Sequence, residues 1–274
     1  MMSLSPSREL LEIIELSERD YMLDRMLAIQ SRAGNPEGVA IQKFGQAYAF
    51  YSKTMPWPTF NTVIGLRSTN ADDLDEVLAY YKEKQRSVQL EIVPTLVDQP
   101  FLKRLADAGL YVSGFHTSLY MSPCFFAKED VQNIEIKELE KDQFLQYAAI
   151  HCKSFGMAEN GIPHIAANNA VLYDLPGWKF YLALVAGEPA AAAVMFIKGN
   201  SASLTFAATL PQYRGMGLHR QLLQKRINTA FEHNCEIIVG QCALNSQSHR
   251  NMEQIGMKIG YIRTKWTEKE WISL

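Results

Sequence analysis

The chain has 274 residues, of which 47% are hydrophobic, and its 27 basic and 29 acidic side chains leave a formal net charge of −2. That is enough apolar material for one large or two ordinary domains, and the lack of a basic excess argues against a non-specific nucleic-acid binder. Cys124, Cys152, Cys235 and Cys242 show no C-x-x-C spacing, so neither a zinc site nor a disulfide framework is expected; buried free thiols in a reducing cytosol fit better.

In chain order, the opening MMSLSPSREL lacks a basic start followed by an apolar stretch. No secretory leader is expected, and a cytoplasmic protein follows. Leu74, Leu78 and Tyr81 share one helical face. Residues 88–93 are apolar and extended, 100–108 helical, Gly109 a stop, and 111–121 a strand. Pro123 and the polar run Lys128-Glu129-Asp130 interrupt the pattern within 122–133. Asn160-Gly161-Ile162-Pro163 then breaks a helical region and marks a loop. The most apolar stretch, 181–197, is split by Gly187-Glu188-Pro189, which is turn chemistry between two strands rather than a membrane span. A strand at 203–210 runs into Pro211 and the loop Gln212-Tyr213-Arg214-Gly215-Met216-Gly217, and a helix follows without a break. Residues 236–239 form a strand, 248–255 a helix, Gly256 a stop, and 258–266 the last strand.

The final elements repeat the order of the earlier ones. Gly256 follows Gly109 by 147 positions, and Cys235 follows Val88 by the same interval. Leu223, Ile227 and Ala230 form a helical face like that of Leu74, Leu78 and Tyr81. Two related domains are therefore expected, 1–124 and 125–274, joined near 122–133.

A strand feeding a glycine loop that opens a helix is suited to binding phosphate. The glycines allow a sharp turn and close approach, and the free N–H groups of the first helical turn point at the anion. The loop is shorter than a P-loop and lacks its Gly-Lys-Ser/Thr, which argues against nucleotide triphosphate hydrolysis. In the earlier half, Leu66-Arg67-Ser68-Thr69-Asn70 stands at the corresponding place without a G-x-G. Asp72, Asp73, Asp75 and Glu76 follow it and would repel a pyrophosphate. Cofactor binding is therefore expected in the second domain alone.

Gln212, Gly215 and Gly217, with Arg214 as companion, fit Q/R-x-x-G-x-G/A, and the segment resembles the acetyl-CoA motif of the GNAT-type N-acetyltransferase superfamily. Asn245 and Gly256-Met257 resemble that superfamily's second motif, an Asn before a helix and then Tyr and Gly-Phe. Ser248, Arg250, Asn251 and Gly256, with Tyr261-Ile262-Arg263 in part, are similar to a two-domain group within it. Phe60-Asn61 through Ile64-Gly65-Leu66 resembles that group's first domain.

The resemblance implies an α/β (α+β) fold of two GNAT-like domains, each a mixed, mainly antiparallel sheet flanked by helices. It implies a strand whose end, Ala207, Ala208, Thr209 and Leu210, meets the pantetheine arm of acetyl-CoA. Pyrophosphate would lie over Arg214, Gly215, Met216, Gly217 and Leu218, with Gln212, Asn245, Ser248 and Asn251 nearby. Asn245 and Ser246 are equally plausible as simple helix caps, and His219 reads as a bystander.

The Tyr that often protonates the leaving thiolate falls at Met252, whose thioether donates no proton. Tyr261, Glu159 and His164 remain as catalytic candidates; His151, Tyr173 and Asp174 share the early helices where the superfamily builds its acceptor site. The expected reaction is transfer of an acetyl group from acetyl-CoA, as co-substrate, to a primary amine on a small molecule or peptide. No metal, nucleic acid or membrane is called for. The alternative is a CoA or acyl-CoA sensor without turnover.

Overall fold

The computed structural model describes residues 6–70, 72–127, 131 and 133–268. The run Lys128-Glu129-Asp130 lies outside them. The chain forms two compact units, Met1–Ser118 with Ile259–Leu274, and Leu119–Lys258. The last strand therefore belongs with the first unit and not, as the expected boundaries had it, with the second.

The first unit starts with helix α1 (Arg8–Gln30), capped by Ser7, whose hydroxyl accepts the Leu10 N–H at 3.2 Å. Strands β1 (Ala40–Phe44), β2 (Ala47–Tyr51) and β3 (Thr62–Ile64) follow. Then come α2 (Asp73–Glu83), β4 (Gln89–Ile92), α3 (Gln99–Asp107) and β5 (Leu110–Met121). Asp98 caps α3 by accepting the Phe101 N–H at 2.9 Å, and Pro100 sits in its first turn, where no N–H is needed. The strand order is β1-β2-β3-β4-β11-β5, with β11 (Lys258–Glu268) the last strand of the chain. β11 pairs antiparallel with β4, Thr264 opposite Ile92 and Thr267 opposite Gln89. The expected helical face is partly realised: Leu74, Val77 and Tyr81 are buried with Leu90, Phe101 and Leu105, and Leu78 packs at the edge.

The second unit holds β6 (Ile134–Glu138), α4 (Phe144–Phe155), α5 (Ile162–Ala170), β7 (Trp178–Val185) and β8 (Glu188–Lys198). β9 (Ser201–Thr209), α6 (Leu218–Glu232), β10 (Ile237–Ala243) and α7 (Gln247–Gln254) complete it. The order is β10-β9-β8-β7-β6. The hairpin within the most apolar stretch turns at Ala186 and Gly187, with φ of +51° and +85°, rather than at Gly187-Glu188-Pro189. This two-residue turn has both central residues at positive φ, a conformation closed to Pro189. Leu218, Leu222, Leu223, Ile227 and Ala230 give α6 one apolar face, buried over the sheet.

Each unit contains the same piece: antiparallel strands leading to a strand–helix–strand crossover with a parallel pair. β3, α2 and β4 form it in the first unit, β9, α6 and β10 in the second. No helix among the described residues is long and apolar enough to cross a membrane.

Candidate functional site

The cleft of the second unit starts from two parallel strands that part company. β9 and β10 are in register from Ser201–Ile237 to Leu204–Gly240, yet β9 runs on to Thr209 and β10 to Ala243. β9 stays on β8 to its end but skips a residue between Thr205 and Ala207. The skipped residue, Phe206, has φ of +38°. Such a bulge bends its strand and sharpens the twist, which turns the end of β9 away from β10.

Beneath the bulge lies Arg226 of α6, 1% exposed. Its Nη1 donates to Val194 O at 3.1 Å and Thr205 O at 3.4 Å, and its Nε to Leu222 O at 3.0 Å. Burial pushes this guanidinium down to about 10, so it stays cationic at neutral pH. The charge faces the carbonyl just before the skipped residue and that of its cross-strand partner Val194, and it helps offset the cost of Phe206's left-handed backbone, about 1–2 kcal/mol.

Leu210 follows the strand, and Pro211–Tyr213 forms a short 3-10 turn. Gly215 and Gly217 then take φ of +82° and +78°, with no atom within 4 Å of where a Cβ would stand on either. Gly217 is the N-cap of α6 and brings no capping side chain; the first intrahelical bond of this turn runs from Gln221 N to Gly217 O at 3.1 Å. The preceding amides have no helical acceptor, and their partial positive charge faces the open side of the glycine loop. The resulting cleft has a volume of 880 Å³.

Of the residues expected to meet the cofactor, Ala207, Ala208, Thr209, Arg214, Gly215, Gly217, Leu218, Ser248 and Asn251 line this cleft. Leu210, Gln212, Met216 and Asn245 do not. Leu210 is buried and donates its N–H to Ala190 O at 2.9 Å. Ser246 rather than Asn245 caps α7, its hydroxyl accepting the His249 N–H at 3.1 Å. Asn245 instead holds φ of +58° and gives its N–H to His249 Nδ1 at 3.1 Å. Arg214 spans the cleft's end, donating to Thr209 O at 3.4 Å and Ser154 O at 3.0 Å. It thus ties the loop to the C-terminal turn of α4, a favourable place for a cation. Glu159 and His164 are exposed and lie outside the lining. The early helices enter the cleft only through Ser154 and Phe155.

His219, which reads from the sequence as a bystander, has a definite place in the site. It lines the cleft and bridges α6 to α7, with Nδ1 3.1 Å from Asn251 Nδ2 and Nε2 3.3 Å from Ser248 Oγ. The available signal was positional: Ser248 and Asn251 stand three residues apart on one face of a helix, opposite a first-turn histidine. Burial first, and the Arg226 charge second, press His219 down to about 4 from 6.5. The unfolded chain therefore takes up a proton that the folded chain refuses, and stability falls as pH drops through 6.5 toward 4. For this shift the loss between pH 7.5 and 5 is up to about 2 kcal/mol. Urea unfolding at both pH values is expected to show a smaller loss in His219→Gln, which does not titrate; equal losses would contradict the assignment.

Tyr261 stands elsewhere. It is 4% exposed, within the first unit, and donates to Glu18 Oε2 at 2.8 Å. Arg263 Nη1 reaches Glu18 and Glu91, each at 2.7 Å, and its Nη2 donates to His116 Nδ1 at 3.2 Å. Burial raises Glu18 to about 7 against the opposing pull of Arg263, and burial with Arg263 presses His116 down to about 2. This buried cluster joins α1, β4, β5 and β11. The loop at Arg67, Ser68 and Thr69 borders a separate 610 Å³ cavity, into which α1 brings Glu12 and Glu15. Glu15 is ion-paired with Arg67. No group of three or more potential metal ligands occurs among the described residues. Cys152, Cys235 and Cys242 are buried free thiols and Cys124 an exposed one.

Residues 136–257 match the acetyltransferase (GNAT) family. No curated protein matches the sequence significantly. Among solved structures, a GCN5-related N-acetyltransferase from Kribbella flavida superposes with a TM-score of 0.65 at 12% identity, over 90% of this chain and 95% of that one. One from Sphaerobacter thermophilus gives 0.61 at 11% identity, over 98% and 96%. A tandem GNAT protein from the clavulanic acid biosynthesis pathway gives 0.62 at 11%, over 91% and 94%. At these identities the likeness concerns the fold, which in all three extends over nearly the whole chain. The glycine loop and the parted strands both lie within residues 136–257, the part of the chain that matches the acetyltransferase (GNAT) family.

Proposed function

We propose that the protein transfers an acetyl group from acetyl-CoA to a primary amine in the cleft of the second unit. The observation that carries this reading is the uncapped N-terminus of α6, opening behind Gly215 and Gly217 at the mouth of two diverging parallel strands. Each part suits one part of acetyl-CoA. The first-turn amides of α6 receive the diphosphate. The end of β9, free of β10, offers backbone groups to the pantetheine amides as a neighbouring strand would.

On β9 the oxyanion donor is Thr209 rather than Leu210. Leu210 spends its N–H on Ala190. In a strand the N–H and C=O of one residue point the same way, and the Thr209 C=O points to Arg214. The amine nitrogen attacks the thioester carbonyl carbon, the Thr209 N–H stabilises the oxygen as it gains charge, and the C–S bond breaks to release CoA thiolate. The amine's surplus proton leaves through water. Met252 supplies none: it is 4% exposed, and its methyl lies 3.2 Å from where a Cβ on Gly240 would be. Most of the acceleration comes from holding both substrates together.

Ser154 and Phe155 border the cleft at the end of α4. These two residues are the acceptor wall in this reading, and Glu159 and His164 lie beyond it. The first unit plays no part in holding the cofactor. Its own cavity sets Glu12, Glu15 and Asp98 against Arg8, Arg19 and Arg67, with Arg8 and Arg67 ion-paired to Glu12 and Glu15, and so offers a diphosphate no excess of positive charge.

A thiol-release assay with acetyl-CoA and a panel of small amines, amino acids and peptides tests the reading. Acetyl-CoA-dependent release with at least one amine is expected. Tight CoA binding with silence across the panel would make the protein a sensor, and absence of CoA binding would remove the reading altogether.

A further inference from the structure

Four side chains around the cleft form one directed chain of hydrogen bonds. Gln247 Nε2 donates to Asn251 Oδ1 at 2.9 Å, one turn along α7. That bond fixes the Asn251 amide, whose Nδ2 then faces His219 Nδ1 at 3.1 Å. An amide nitrogen only donates, so Nδ1 must be the acceptor. A neutral imidazole carries one proton, which therefore sits on Nε2. His219 Nε2 lies 3.3 Å from Ser248 Oγ, and the N–H donates to it. The opposite tautomer would set two donors against each other at Nδ1. The Ser248 hydroxyl, a wall of the cleft, is thereby filled from behind, and its own hydrogen is left to turn toward the cleft.

We propose that His219 is a positioning residue that makes Ser248 a hydrogen-bond donor to an acceptor oxygen of the bound acyl-CoA. The inference rests on the acetyl-CoA reading of the same cleft and adds a role for a histidine outside the glycine motif. It accounts for the identity of the side chain: its two nitrogens must play opposite parts, one accepting from α7 and the other donating back to it. An asparagine or a glutamine at the same place preserves only one part. The change His219→Asn keeps the acceptor toward Asn251 and loses the donor toward Ser248. The longer amide of His219→Gln reaches the Nε2 position with an N–H and keeps the donor.

The test is acetyl-CoA affinity by calorimetry for the full-length wild type, His219→Asn, His219→Gln, Ser248→Ala and the double variant His219→Asn/Ser248→Ala, with melting temperatures as a control for folding. Ser248→Ala and His219→Asn are each expected to weaken binding about five- to tenfold, the double variant no more than either single change, and His219→Gln within about twofold of wild type. The imidazole ¹⁵N shifts of the wild type are expected to show the Nε2–H tautomer, which a merely space-filling histidine has no reason to prefer. Equal effects of the asparagine and glutamine variants, additivity in the double variant, or the Nδ1–H tautomer would overturn the inference while leaving acetyl-CoA binding in place. A wild type that does not bind acetyl-CoA would overturn the reading beneath it and this inference together.

Discussion

Gly215→Asp is expected to abolish acetyl-CoA binding without unfolding the protein. Gly215 has φ of +82°, and nothing lies within 4 Å of a Cβ built on it. Aspartate tolerates this backbone better than most residues, so the cost to stability is about 1 kcal/mol. The cost to binding is much larger. A Cβ and carboxylate would project over the open face of the loop, where the diphosphate must approach, and would bring negative charge to the positive end of α6. A loss of about one to two orders of magnitude in affinity is the least expected from such a like-charge contact in a partly desolvated site. Ser68→Asp serves as control, since Ser68 borders the first unit's cavity. It should leave affinity unchanged. Equal loss from both changes, by calorimetry or by the acetyl-CoA-dependent rise in melting temperature, would contradict the assignment of the cofactor to the second unit.

Arg263→Leu is expected to be the most destabilising single change in the first unit. Arg263 is 5% exposed and lies between the carboxylates of Glu18 and Glu91, with His116 on its other nitrogen. Removing it leaves two buried acids facing each other without their cation, which costs about 3–5 kcal/mol. Hydrogen exchange locates the damage: amides of β3 and β4 should lose protection while those of α6, in the other unit, keep theirs. Glu18→Gln added to Arg263→Leu should recover part of the loss, because one of the two charges is then gone. A loss under about 1 kcal/mol would mean that the cluster is solvated and not an internal ion pair.

The parts legible in the sequence were those whose cause is local. The glycine loop, the strand before it and the helix after it follow from adjacent residues, and the parallel crossover appears in both halves because each half carries the same succession of apolar runs and stop glycines. Helix α1 left no clear apolar stripe, since its inward residues include Glu15, Glu18 and Arg25 beside Ile14, Met22 and Met26. Their partners come from far along the chain, Arg67 for Glu15, Arg263 and Tyr261 for Glu18 and the Phe60 ring for Arg25, and periodicity cannot show that.

Tyr261 was a candidate for the cleft through its place after α7. Its strand pairs instead with β4, far earlier in the chain, as in Thr264 opposite Ile92. Strand pairing of this range is set by tertiary packing, not by local preference. The bulge at Phe206 and the Arg226 beneath it were equally hidden. A buried arginine on α6 has no acidic partner within a helical turn to advertise it, and its acceptors are main-chain carbonyls.

The central claim is that acetyl-CoA lies in the second unit between the α6 N-terminus and the freed end of β9. A structure of the full-length protein with acetyl-CoA bound tests it most directly. It should show the diphosphate over the amides that follow Gly215 and Gly217, the pantetheine arm along Ala207–Thr209, and the thioester oxygen near the Thr209 N–H. A diphosphate in the cavity beside Arg67 and Ser68 of the first unit, or an acyl-CoA that leaves the glycine loop empty, would contradict it.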